Sequence, residues 1–83
     1  MVDFQYKDSY GVKDLEEIVR ILRAPGGCPW DAEQTHQSIR RNFLEEAYEA
    51  VEAIDEGSPE HLEEELGDVL LQVVMHARME QEA

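Results

Sequence analysis

Two pairs of carboxylates, Glu46-x-x-Glu49 and Glu65-x-x-Asp68, have the spacing to do chemistry, because residues three apart on a helix share a face. Gly57 and Ser58-Pro59 mark a turn between them, a left-handed cap followed by a helix start. Glu49 and Glu65 each lie eight positions from Gly57, and Glu46 and Asp68 each lie eleven. At about 1.5 Å rise per residue, the first two sit roughly 12 Å from the turn and the second two roughly 16 Å. An antiparallel hairpin therefore brings four acids to the same level. Glu45 adjoins them as a fifth oxygen ligand or a base. Four converging acids without a nearby Lys or Arg repel one another, and a hard divalent cation relieves that. Mg²⁺ (with Mn²⁺ as the alternative ion) takes oxygen ligands and keeps waters for a phosphate substrate. The expected chemistry is metal-assisted hydrolysis of a phosphate compound.

A solvated acidic face is the competing reading, since charge runs on helices commonly just meet water. Three features oppose it: the turn-symmetric spacing, the polar Asp68 and Gln72 in an otherwise apolar helix, and Gly67, which weakens a helix. Other metal sites fit poorly. A di-iron bundle needs two Glu-x-x-His pairs, and only Glu33-x-x-His36 is present. A calcium loop starting at Asp31 has His36 where glycine belongs and Asn42 where the last Glu belongs. Zinc has no partner ligands beside Cys28, and His36, His61 and His76 read as surface or packing residues.

Three helical patterns position these groups. The first runs from about Val12 to Arg23, with Val12, Leu15, Ile18, Val19 and Leu22 at helical spacing. Ala24-Pro25-Gly26-Gly27 ends it, and Cys28 to Gln37 reads as a loop or a loop with a short turn. The second helix starts near Ser38 and ends at Glu56; the third runs from Pro59 to the end. No alternating strand pattern occurs, so the expected class is all-α: a helical hairpin plus an N-terminal helix, within one domain over residues 1–83. On the second helix Ile39, Phe43, Ala47, Ala50, Val51 and Ile54 form the expected dry side. On the third, Leu62, Leu66, Val69, Leu70, Val73, Val74 and Ala77 form an apolar stripe, with Leu71, Met75 and Met79 outside it. A helix apolar nearly all round needs burial nearly all round, so a homo-oligomer, dimer or tetramer, is expected to complete the bundle.

Charge narrows the function classes. The net charge is −13, and residues 42–83 carry 13 acids against Arg78 alone. Neither a nucleic-acid polymer nor a membrane surface suits such a chain, since both select for basic patches. The chain has a single cysteine, which rules out an intramolecular disulfide. Met1 to Tyr10 lacks the pattern of a secretory leader, so a cytoplasmic location is expected.

Cys28-Pro29-Trp30-Asp31, Gln34-Thr35-His36, Leu44-Glu45-Glu46-Ala47-Tyr48-Glu49 and Glu64-Glu65-Leu66-Gly67-Asp68 through Val74 together resemble the MazG-type nucleoside triphosphate pyrophosphohydrolases. The likeness covers about residues 12–82, and the Cys-Pro-Trp-Asp segment favours the long bacterial branch. It implies an all-α fold, oligomerisation, and Mg²⁺-dependent cleavage of (deoxy)nucleoside triphosphates to monophosphate and pyrophosphate, a house-cleaning of the nucleotide pool. By this resemblance Glu46, Glu49, Glu65 and Asp68 are metal ligands and Glu45 helps orient water. Trp30 and Asn42 fall where base or ribose contacts would form. The family pattern continues into a further helix with basic residues, whereas this chain stops at Ala83. Either Arg40, Arg41 or a partner chain balances the triphosphate, or the chain is a fragment or isolated domain with reduced or no activity. The alternative function is a catalytically idle dimerisation module.

Overall fold

A computed structural model describes residues 11–83; the leader reading of Met1 to Tyr10 lies outside the described residues. Four helices follow in order: α1 (Val12–Arg23), α2 (Pro29–Glu33), α3 (His36–Glu56) and α4 (Pro59–Glu82). The all-α expectation holds. The segment expected to be loop contains α2, which proline starts at its first position after Cys28.

The turn chemistry is local and specific. Gly26 takes φ +86°, and a Cβ on Gly27 would meet the Ile21 carbonyl oxygen at 2.2 Å. Glycine at both positions lets Cys28 N–H reach the Leu22 carbonyl at 2.8 Å, folding α2 back on α1. α3 begins at His36, two residues earlier than expected, because Thr35 caps it: its Oγ1 accepts from Ser38 N–H at 3.1 Å, while Ser38 Oγ accepts from Thr35 N–H at 2.8 Å. That is a reciprocal capping box with serine in the third position. Gly57 ends α3 at φ +71°, and Ser58 Oγ caps α4 through His61 N–H at 3.3 Å.

α3 and α4 form the antiparallel hairpin, and α1 packs on α4 and α2. The core is Val19, Ile39, Val74, Met75 and Met79, with Leu15 against it. Ile39 and Ala50 on α3 and Val74 on α4 are buried as expected, and the rest of each dry face is partly corrected. On α4, Met75 and Met79 are buried, whereas Leu66 is 51% and Val73 46% exposed. On α3, Ala50 and Ala53 are buried, whereas Val51 and Ile54 are exposed. Small alanines let the helices approach closely, and the polar Glu46, Glu65 and Gln72 share that inter-helix seam. Periodicity ranks faces by greasiness, and here the greasiest faces are the bare ones.

Arg23 locks the top of the molecule. Its buried guanidinium donates to the carbonyls of Asp31 (2.7 Å) and Gln34 (3.1 Å), and pairs with Glu82 at 2.9 Å. Hydrogen bonding from Arg23 holds the Glu82 carboxyl below the usual range. Arg23→Met keeps the stem and removes every donor. It is expected to cost about 2–3 kcal/mol, the scale of hydrogen bonds to charged groups. Thermal melts should show a loss on the order of 10 °C; an unchanged melt would mean water replaces the guanidinium without penalty.

Candidate metal centre

Glu46 and Glu49 project from α3 and Glu65 from α4, with one carboxylate oxygen from each lying within 4.8 Å of the others. Their depths differ. Glu65 is 7% exposed, Glu46 half-buried and Glu49 exposed. Glu46 Oε2 and Glu65 Oε2 are buried without any hydrogen-bond partner. Buried polar atoms are normally satisfied, so two orphaned oxygens in one cluster suit a bound cation as their partner.

The electrostatics agree. Burial raises the Glu46 carboxyl above its ordinary value, and the charges of Glu49, Asp68 and Glu65 add to the rise. Glu65 is raised chiefly by the close Glu49 carboxyl, then by burial and by Asp68. His61 offsets part of the charge. Its Nε2 lies 3.2 Å from Glu65 Oε1 and its Nδ1 lies 3.0 Å from Glu56 Oε2. Glu56 first, and Glu65 after it, hold the imidazole's pKa up. Residue types gave His61 no role, but its place four residues before Glu65 is a readable contact spacing.

Asp68 and Glu45 stand apart from the three-oxygen set. Asp68 is exposed, and acts on Glu46 and Glu65 through its charge. Glu45 is exposed. Trp30 of α2 and Asn42 of α3, far apart in type and sequence, line one cleft of about 150 Å³ together with Gln72 of α4. The two remaining histidines pair with each other: His36 Nδ1 lies 2.6 Å from His76 Nδ1 with the rings stacked, joining the start of α3 to α4.

Residues 34–83, which carry all the carboxylates of the centre, match the family model described as MazG nucleotide pyrophosphohydrolase domain. The chain belongs to this family. It is 51% identical over 70 residues to the nucleoside triphosphate pyrophosphohydrolase/pyrophosphatase MazG of Thermotoga maritima, covering 84% of this chain and 28% of that one. It is 50% identical over 69 residues to the nucleoside triphosphate pyrophosphohydrolase of Escherichia coli K12, covering 82% and 26%. An uncharacterized protein of Bacillus subtilis, YabN, is 57% identical over 65 residues, covering 78% of this chain and 13% of its own length. The matched segment thus spans little more than a quarter of these relatives at most. No solved structure matches the chain.

Proposed function

We propose that this MazG-family chain hydrolyses (deoxy)nucleoside triphosphates to the monophosphate and pyrophosphate, clearing unwanted nucleotides from the pool. The observation that carries this reading is the pair of buried, partnerless oxygens on Glu46 and Glu65 beside Glu49. Glu46, Glu49 and Glu65 would hold Mg²⁺, or Mn²⁺, with Asp68 closing the ligand set from the next turn of α4. When bound, the ion polarises phosphate oxygens and offsets the charge of the leaving pyrophosphate. The protein's own groups do the rest. Glu45, one position from Glu46 and open to solvent, orients the water whose oxygen adds to phosphorus as the α–β anhydride bond breaks. Glu46 and Glu65, short of solvent, hold their oxygens fixed. Arg40 and Arg41 on α3, or a partner chain, balance the triphosphate. Incubation with the eight common NTPs and dNTPs plus Mg²⁺, assayed for pyrophosphate, tests the reading. Release no faster than the blank for every nucleotide would favour the idle dimerisation module instead.

Assembly belongs to the same reading. A homo-oligomer, dimer or tetramer, would cover the apolar side that α1 leaves bare. No described helix is long and apolar enough to cross a membrane, and we place the protein in the cytoplasm.

Metal stabilisation should depend on pH in a defined direction. The raised carboxyls of Glu46 and Glu65 keep protons in the folded state that the unfolded chain has released. In chelator, their contribution to stability therefore grows as pH falls through their folded values toward the ordinary carboxyl range. Mg²⁺ needs the same sites deprotonated. The gain in melting temperature on adding Mg²⁺ should shrink across that interval, starting above the ordinary carboxyl range. His76, whose pKa is lowered by burial and His36, works in the opposite sense but contributes to both arms. A Mg²⁺ gain that stays constant from neutrality down to the ordinary carboxyl range would remove the raised carboxyls from the ligand set.

A further inference from the structure

Glu65 is the one carboxylate that α4 gives to the three-oxygen set, and its two oxygens have different surroundings. Oε1 lies 3.2 Å from His61 Nε2, within hydrogen-bond range. Oε2 is buried and has no partner. His61 is itself held at two further points. Its backbone N–H donates to the Ser58 Oγ cap at 3.3 Å, and its ring Nδ1 lies 3.0 Å from Glu56 Oε2. Glu56 is the last residue of α3, and His61 stands in the first turn of α4. The imidazole therefore bridges the hairpin turn at one edge and reaches the carboxylates with the other. A glutamate side chain left to itself spreads over many rotamers, whereas a ligand held by an outer contact meets its ion already oriented.

We propose that His61 is a positioning residue for the metal centre: with its ring braced by Glu56, its Nε2–H holds Glu65 Oε1 and leaves Oε2 for the cation. The chain of contacts Glu56–His61–Glu65 ties the orientation of one ligand to the turn that sets the hairpin. This rests on the reading of Glu65 as a ligand, and its test reads ion binding apart from turnover. The ring has a second role open to it, as a countercharge among the acids, and the two roles differ in sign. Losing a countercharge leaves the site more negative and tightens cation binding. Losing a brace weakens it.

Shape separates the two edges of the ring. A glutamine amide nitrogen falls near the place of Nε2, and an asparagine amide nitrogen near that of Nδ1. Mn²⁺ alone is titrated into wild type, His61→Gln, His61→Asn and His61→Leu, with the free ion read by electron paramagnetic resonance. His61→Leu and His61→Asn should bind the ion about tenfold more weakly, the lower end for loss of an outer contact, and His61→Gln within about threefold of wild type. Melts in EDTA check that each variant is folded. Should His61→Leu unfold, the comparison of His61→Gln with His61→Asn carries the test by itself. Equal affinity in all four proteins, tighter binding in His61→Leu, or His61→Gln and His61→Asn behaving alike would each overturn the proposal. If that happens while wild type releases pyrophosphate, the hydrolase reading stands without it. Binding that depends on His61, with no pyrophosphate released from any nucleotide, would overturn the hydrolase reading and leave the assignment of His61 in place. A wild type that binds no Mn²⁺ would overturn both.

Discussion

Glu49→Gln should reduce pyrophosphate release at least a hundredfold and at the same time raise the melting temperature in EDTA. The two effects have one cause. Glu49 brings its carboxylate within 4.8 Å of those of Glu46 and Glu65, and its charge is among the reasons both are raised. Without a cation that proximity is repulsion, and removing one charge while keeping the side chain's shape relieves it. In the proposed centre the same proximity serves a cation as coordination. Losing even a supporting contact to a metal ligand typically costs 10–100-fold, so losing a ligand should cost more. The gain in EDTA should be several degrees, on the order of 5 °C for a domain of this size. Stabilisation by Mg²⁺, which follows from binding the folded state selectively, should shrink in the variant. Melts of both proteins with EDTA and with Mg²⁺ decide the matter. Equal Mg²⁺ responses would mean that Glu49 is not a ligand, and a lower melt in EDTA would mean that the cluster stores no repulsion.

The legible part of this fold is the part written in local chemistry. Gly57, Ser58 and Pro59 define the hairpin turn by their own φ preferences and capping oxygens, and the hairpin fixes the level of every carboxylate. Glu46, Glu49 and Glu65 therefore meet as their spacing predicts. Asp68 shows the limit of a shared-face argument: stepping 100° per residue leaves it about 60° round α4 from Glu65, and Glu65 is the one that faces α3. α2 is too short for a period to register, although Pro29 after Cys28 and Asp31 in the first turn were start signals. The His36–His76 contact spans forty positions and has no local sign. The core was assigned only in part, at Ile39, Ala50 and Val74, for a deeper reason. Hydrophobic periodicity measures how much apolar surface a helix carries, not which neighbour covers it, and α4 carries enough for two partners.

The bare side of the hairpin is expected to hold the protein together as a homo-oligomer, and Leu70→Lys should dissolve it to monomers of 9.6 kDa. On α3, Leu44, Ala47, Val51 and Ile54 recur at three- and four-residue spacing; on α4, Leu66, Leu70, Val73 and Ala77 do the same. Leu44 and Leu70 each lie 13 positions from Gly57, so the two seams meet at one level, and their angles about the helices put them on the same side. Leu44 is 59% and Leu70 38% exposed. Small monomers rarely show so long a contiguous apolar patch, and the 3-4 rhythm is that of knobs packing into holes between helices. Leu70 stands mid-seam, where a lysine must be desolvated or must hold the copies apart. Glu52→Lys adds a lysine on the far side of α3 and should leave the assembly intact, which separates position from charge. Each copy brings a net charge of −13, so association must also overcome mutual repulsion. That repulsion reaches ~30 Å at 0.01 M salt and ~8 Å at physiological strength. Sedimentation at micromolar concentration should therefore show tighter assembly as salt rises, the direction an apolar interface between like-charged chains demands. A wild-type chain sedimenting as a monomer at high salt would show that the seams face water, and the proposal that a partner helps balance the triphosphate would fall with it.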